Sequence, residues 1–447
     1  MDQERGSFSK MGFILAAAGS AVGLGNLWRF PFTVGENGGG VFVLMYLLSI
    51  IIIAIPVLLA EASLGRHTNK NPIGAFAMVK PGSSWPLVGL LGIICAFMIL
   101  SFYAVIAGWT VAYFVKAVTG QFTNIGPEQA VASFGSFTSN SWLQLVLLAV
   151  FIVITVVVVS GGVAGGIEKC SKILMPVLLG ILILLLIRSL TLKGAYEGVM
   201  FYLKPDFSKF SFKVVIAAIG QAFFSMSLGM GTMITYGSYV SKKDSLPSSC
   251  GWIAFFDTFI ALMAGFIIFP AIFSQGMNPD QGSGVMFNVL PVLFSKMPGG
   301  SIFGSFFFLL LSIAALTSTI SILEVPVSYL IDERKWKRKK ASVLIGSIAF
   351  IIGICSALSN GGSSFFSNLP VFNIGFLDLW NMIWGNVALS VGALLEAIFV
   401  AYVWKTHKAV KEIKVGAQKF TLVKPWSFLI KYIVPVFIIL ILIGYFI

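Results

Sequence analysis

A helix needs about 20 consecutive apolar residues to cross the hydrocarbon core of a bilayer, and this chain offers one such run after another. Its 447 residues predict eleven spans, at 11–34, 40–64, 85–117, 142–160, 170–190, 211–239, 249–274, 301–331, 341–358, 371–403 and 425–447. Backbone groups in lipid have no water to bond, so apolar runs of this length must be helical. The expected fold class is an all-α polytopic membrane protein, one domain over 1–447. Composition agrees: the chain is 57% hydrophobic and 11% charged, with a mean hydropathy of +0.95. Soluble chains of this size carry far more charge.

The net charge of +13 is gathered in a few loops. "DERKWKRKK" (332–340), 405–424, "GRHTNKN" (65–71) and "SKKD" (241–244) alternate with nearly uncharged loops such as 358–370. This is the positive-inside pattern. It predicts a multi-pass protein of the cell membrane with a cytoplasmic N-terminus and, after an odd number of spans, an external C-terminus. The basic loops therefore orient the chain in a lipid bilayer, with anionic lipid contact as an addition, and call for no nucleic acid. The start, "MDQERGSFSK", leads into an apolar run too long for a cleaved signal peptide. Cys95, Cys170, Cys250 and Cys355 are scattered, without disulfide or metal spacing. His67 and His407 fall in predicted cytoplasmic loops, so no transition-metal site is expected. Neither HExxH nor GxSxG occurs, and an enzyme is not expected. No motif specifies an oligomeric state.

Two spans are interrupted. The first contains "AAAGSAVGLGNLWRFPF" (16–32), with Gly19, Gly23 and Gly25 around Asn26; the sixth reads "GQAFFSMSLGMGTMITYGSY", with Gly229 and Gly231 beside Ser225 and Ser227. One reading is close helix packing on small residues. The other is a pair of broken helices, five spans apart and so of opposite orientation, in a 5+5 inverted repeat with its site at the midplane. The repeats would cover 11–190 and 211–403, with 425–447 as an extra helix. The neighbouring Asn and Ser residues favour the second reading. A break frees carbonyls, which suit a hard cation, and N–H groups, which suit a carboxylate. In span eight, "AALTSTISILE" (314–324), Thr317 and Ser318 with Ala314 one turn earlier present more oxygen, unless the hydroxyls bond back to their own helix. Ionisable residues within spans are Arg29, Glu61, Asp257, Glu324, Asp378 and Glu396. Such residues are functional suspects, Asp257 above all; Glu61, Glu324 and Glu396 read better as charges paired inside the bundle. The loop 118–141 is expected outside, as is 275–300, either a hairpin folding back or an ordinary loop.

"GSAVGLGNLWRFPF", "ENGGGVFVLMY", "GQAFFSMSLGMG" and "LTSTISILE", with the order of spans, resemble the neurotransmitter:sodium symporter family and its leucine-transporter-like fold. The resemblance implies a sodium-coupled symporter importing hydrophobic L-amino acids, aliphatic and aromatic, by alternating access, with two Na+ sites. The first sodium would be held by Ala21, Asn26, Ser225, Asp257 and the substrate carboxylate. The second would be held by Gly19, Val22, Ala314, Thr317 and Ser318. The substrate carboxylate would meet Leu24, Gly25 and Tyr103. Its amine would face Ala21, Phe224, Ser225 and Ser227, and its side chain Ser20, Ile99, Phe224, Met230 and Ile322. Gly23, where monoamine carriers have Asp, implies a free amino acid. Asp257 replaces the Asn of chloride-dependent members, whose chloride is bound at positions matching Tyr46, Gln221 and Ser225; this implies chloride independence. The outer gate would pair Arg29 with Asp378 above Tyr103 and Phe224. The inner gate would pair Arg5 with Asp332 near Tyr239, with Phe8 where a Trp is usual. Gly166 and Pro176 match a family pattern that suggests local unwinding of span five. Proton coupling through Asp257 and Glu61, or a channel or receptor-like sensor on the same fold, are the alternatives.

Overall fold

A computed structural model describes residues 6–279, 285–417 and 420–445. The chain is helical throughout; among the described residues the β contact is a single isolated bridge between Gly39 and Pro205. Among the described residues nine helices are long and apolar enough to cross a bilayer, and a pair bent by 48° makes a tenth. The bent pair is α1a (Lys10–Ala21) and α1b (Gly25–Glu36). The sixth expected span consists of α6a (Phe212–Ser225) and α6b (Thr232–Gly237), each too short to cross alone. The others are α2 (Gly40–Thr68), α3 (Pro86–Val118), α4 (Ser141–Ser160), α5 (Val163–Leu190), α7 (Leu246–Ser274), α8 (Gly300–Arg334), α9 (Arg338–Ala357), α10 (Phe376–Val403) and α11 (Val423–Gly444).

The helix starts are encoded locally. Ser9, Asn140, Ser211 and Ser245 cap α1a, α4, α6a and α7 by accepting from backbone N–H groups of the first turn, which supplies a partner that the helix cannot. Proline opens α3, where its missing N–H costs nothing. The fifth span begins earlier than its apolar run, because "VAGGIE" forms a π turn continuous with the α-helix that follows. The unwinding suggested between Gly166 and Pro176 is absent: α5 is helical from Val163 to Leu190, with Pro176 inside it. Glu168 on α5 holds the start of α1a, accepting from Ser9 N–H (3.0 Å) and Ser9 Oγ (2.6 Å).

The longest helices, α3 and α8, make the most extensive contact and are 72% and 78% buried over their apolar windows. The values for α4, α5 and α11 are 33%, 33% and 22%, so these three form the lipid-facing rim. At one end of the bundle, the 285–296 part of the 275–300 segment does fold back. Phe287 stacks on Phe134 of the connecting helix Pro127–Ser139 and meets the edges of Trp109 and Tyr113. At the opposite end Arg66 is fully buried. Its Nε donates to Glu412 Oε1 (2.8 Å) and its Nη1 to the carbonyl of Asp244 (2.8 Å). Burial alone would raise the Glu412 carboxyl, but hydrogen bonds from His67 and Arg66 hold it below the usual range. This pair fastens the helix Thr406–Ile413 to the end of α2.

Candidate functional site

The α1 helix opens at Val22, whose backbone turns extended (φ −75°, ψ 94°). Gly23 N–H, which a continuous helix would return to Gly19, is accepted by Asn26 Oδ1 (3.2 Å). Leu24 N–H is accepted by the Tyr103 hydroxyl (3.0 Å). The carbonyls of Gly19 and Ser20 thereby lose their helical donors. That of Ser20 accepts instead from Ser227 Oγ (3.1 Å) and Ser318 Oγ (3.2 Å). A small residue suits the centre of the break: a Cβ on Gly23 would stand 2.5 Å from Ser318 Oγ and 2.7 Å from the Tyr103 hydroxyl, so both side chains would have to shift.

The α6 helix opens over residues 226–231, with left-handed φ at Ser227 (53°), Gly229 (81°) and Gly231 (72°). The segment lies against α10, where a Cβ on Gly229 would collide with the Leu389 carbonyl and stand 2.7 Å from Ala393 N. Gly229 N–H donates to Glu61 Oε1 (2.9 Å).

Between the two breaks lies a cavity of about 30 Å³ lined by Ser20, Ala21, Gly23, Gly25, Ile99, Tyr103, Phe224, Ser227, Met230, Ser318, Ile322 and Leu389. Nine of the eleven residues expected around a substrate are in this lining. The exceptions are Leu24, whose side chain lines the chamber above, and Ser225, which faces Asp257. The sequence reading missed Leu389 altogether. It is one of many leucines in an apolar span, and only the close approach of α10 to Gly229 brings it here. The upper chamber, about 400 Å³, includes Trp28, Arg29, Phe32, Lys213, Asp378 and Asn381. Tyr103 and Phe224 line both spaces, so these two rings are the partition.

Behind α1, a polar cluster is sealed from solvent: Asn26, Tyr46 and Asp257 are 0% exposed and Ser225 1%. Asp257 Oδ1 accepts from Asn26 Nδ2 (2.7 Å) and Ser225 Oγ (2.7 Å), and Oδ2 from the Tyr46 hydroxyl (3.4 Å). Gln221 Nε2 donates to Gly25 O (2.8 Å). On the α8 side, Ser318 Oγ also reaches Ala314 O (3.2 Å), to which Thr317 Oγ1 donates (3.0 Å). A Cβ on Gly19 would touch Thr317 Cβ at 3.2 Å. The hydroxyls bond back to their own helix, as one reading of the sequence had it, and Ser318 reaches across to α1 as well.

The two ends differ. Arg29 and Asp378 share the upper chamber but form no ion pair; Arg29 Nη2 donates to Asn386 Oδ1 (3.3 Å) and its guanidinium lies 4.5 Å from the Phe224 ring centroid. The outer gate is thus not latched by the expected pair, because the amide of Asn386 has taken the guanidinium. At the opposite end Phe8 packs against Phe13, Tyr236 and Tyr239. Tyr239 donates to Glu324 Oε1 (2.6 Å), and Arg338 Nη1 to Glu324 Oε2 (2.6 Å). Asp332 accepts from Asn71 N–H (2.8 Å) and Asn71 Nδ2 (3.2 Å); Arg5 lies outside the described residues.

The sequence profile of the sodium:neurotransmitter symporter family matches residues 5–129 and 127–447. The chain belongs to that family. As a member it is a sodium-dependent secondary transporter of the membrane, not an enzyme. An uncharacterised sodium-dependent transporter of Bacillus subtilis is 38% identical, over 98% of this chain and 96% of its own length. A sodium-dependent transporter of Haemophilus influenzae is 37% identical over 98% and 97%. Among solved structures, MhsT in complex with L-phenylalanine is 42% identical, with a TM-score of 0.90 over 99% of this chain and 100% of its own. This family member shares with it the interrupted leucine-transporter-like fold.

Proposed function

We propose that this transporter imports hydrophobic L-amino acids, aliphatic and aromatic, with two sodium ions and without chloride. The observation that carries the substrate class is the lower cavity, apolar along Ile99, Phe224, Met230, Ile322 and Leu389 and polar at the α1 break. Gly23 N–H, Leu24 N–H and the Tyr103 hydroxyl gather at that polar end, where a free carboxylate finds donors and an Asp side chain would find no room. Met230 adapts to varied shapes, and apolar walls discriminate a methylene by only about 1–3 kcal/mol, which favours breadth. The binding of L-phenylalanine by MhsT supports the aromatic end of the range. A 30 Å³ cavity holds about one water, so an amino acid must part Tyr103 and Phe224 from above.

Sodium takes oxygen ligands, and both breaks supply them. Ala21 O, Asn26 Oδ1, Ser225 Oγ and Asp257 with the substrate carboxylate would hold the first ion. Asn26 must release Gly23 N–H to do so, which couples that ion to the break itself. The carbonyls of Gly19, Val22 and Ala314 with the hydroxyls of Thr317 and Ser318 would hold the second, tying α1 to α8. Asp257 supplies the charge that chloride would otherwise bring, and Tyr46 points its hydroxyl at that carboxylate. An inner end closed by Phe8 and an outer chamber open above Tyr103 suit uptake from the side opposite the basic loops, with the N-terminus cytoplasmic. Arg29 and Asp378 close the outer side once substrate is bound, and Arg5 with Asp332 holds the inner side shut near Tyr239.

Uptake of labelled L-phenylalanine into proteoliposomes, competed by a panel of amino acids, tests this reading. Uptake requires sodium, is inhibited by leucine, valine and tryptophan, and persists when gluconate replaces chloride. Undiminished uptake with choline in place of sodium, or collapse without chloride, overturns the corresponding part.

A further inference from the structure

Two acidic side chains in the interior hold neither ion nor substrate in the reading above. Glu61 on α2 and Glu396 on α10 are 1% and 2% exposed and come together beside the unwound segment of α6, where Gly229 N–H donates to Glu61 and Gly229 abuts α10 at Leu389 and Ala393. Glu61 accepts from the backbone N–H groups of Gly229 (2.9 Å) and Met233. Glu61 Oε2 and both oxygens of Glu396 are buried without a hydrogen-bond partner among the described residues.

No cation answers this pair. Among the described residues neither glutamate takes part in an ion pair. Arg66, farther along α2, is committed to Glu412 and the Asp244 carbonyl. From α3 the facing titratable group is the thiol of Cys95, which donates to the Trp384 carbonyl. The α6 segment contributes backbone N–H groups. On α7, Cys250 lies beside Arg66, and on α11 Lys431 turns to the rings of Tyr402 and Tyr432. Ionised carboxylate oxygens only accept hydrogen bonds. Two adjacent carboxyl groups buried without a cation cannot both stay ionised, so the pair holds a proton.

We propose that Glu61 and Glu396 form a proton-binding site, one proton held between them, whose occupancy is coupled to the substrate cavity through the unwound segment of α6. Glu61, with two backbone donors, is the ionised acceptor, and Glu396, with none, carries the proton. Its loss leaves two carboxylates face to face in a low-dielectric interior, where like charges repel strongly. That repulsion separates α2 from α10. Because α10 lies against Gly229, and Leu389, Ser227 and Met230 line the cavity, the wall that meets the substrate moves with it. The coupling rests on the proposed binding of an amino acid in that cavity; the proton site does not.

Infrared spectroscopy and L-phenylalanine binding on the full-length protein in lipid test the two parts separately. The wild type shows the C=O stretch of a buried carboxylic acid at neutral pH, shifted in heavy water, and E396Q lacks that band. At saturating sodium, wild-type affinity for L-phenylalanine falls about fivefold or more between neutral and alkaline buffer, within the range of common inter-site couplings. The band and the affinity disappear with one midpoint. E396Q, whose amide still donates to Glu61, binds at neutral pH with no alkaline fall. A wild-type affinity flat over this range, or midpoints that differ, overturns the coupling without recourse to any variant. A band that survives E396Q overturns the proton site. If sodium-stimulated L-phenylalanine binding is missing at neutral pH while the band behaves as stated, the substrate reading fails and the proton site stands.

Discussion

In α1 the helix is open for three residues, and the groups set free are met by side chains: Asn26, Tyr103, Ser227 and Ser318. In α6 it is open for six, residues 226–231, with three positions in left-handed geometry. There the backbone of α10 and the Glu61 carboxylate press directly on the chain. Carboxamide and hydroxyl groups turn about single bonds, so their contacts at α1 can be exchanged for those of an ion. Backbone packed on backbone at α6 has no such freedom. The difference suits the first break to exchangeable polar contacts and the second to a fixed shape.

The sharpest test of that contrast is Gly229→Ala. The methyl collides with the Leu389 carbonyl in a conformation that L-residues avoid, and a strained, overpacked position costs about 4 kcal/mol or more; thermal unfolding in lipid should show a large loss of stability. Unchanged stability would mean that α6 is as yielding as α1. Next is Asp257→Asn, which removes the charge from a sealed cluster without altering its size. Hydrogen bonds to a charged group are worth about 1.5–3 kcal/mol, so sodium affinity in chloride-free buffer should fall by roughly one to two orders of magnitude, with the fold intact. Tyr103→Phe leaves Leu24 N–H without its acceptor, at about 1–3 kcal/mol; L-phenylalanine binding should weaken by about tenfold at constant sodium. Ser227→Ala is the mildest. Ser20 O retains Ser318, and one neutral hydrogen bond of about 0.5–1.5 kcal/mol predicts a few-fold rise in half-saturation for uptake. An effect as large as that of Asp257→Asn would show that α6 too works by exchangeable contacts.

Features written in consecutive residues were legible. Apolar runs located the spans, and glycines beside Asn26 and Ser225 located both breaks, because a helix cannot be interrupted in lipid without local signals. Contacts made across the bundle were not. Nothing adjacent to Arg29 announces Asn386, and the expected partner, Asp378, remains nearby without pairing. Glu324 is indeed paired inside the bundle, by Arg338. Glu61 and Glu396 also found each other, yet as two acids, a pairing that charge arithmetic along a sequence argues against. The early start of α5 was hidden because "VAGGIE" reads as a loop, whereas the wider π turn accommodates it.

Helix α10 is itself built in four pieces, the first being the regular turn Phe376–Trp380. Wide turns at Asn381–Ala388 and Phe399–Val403 bracket the regular stretch Leu389–Ile398 that abuts Gly229. A π turn stores a surplus residue, and passing that surplus along the axis trades one peptide partner for the next without stranding either in hydrocarbon. Leu389–Ile398 is therefore mounted between two slack couplings. It can screw about its own axis while its neighbours stay anchored in the bilayer.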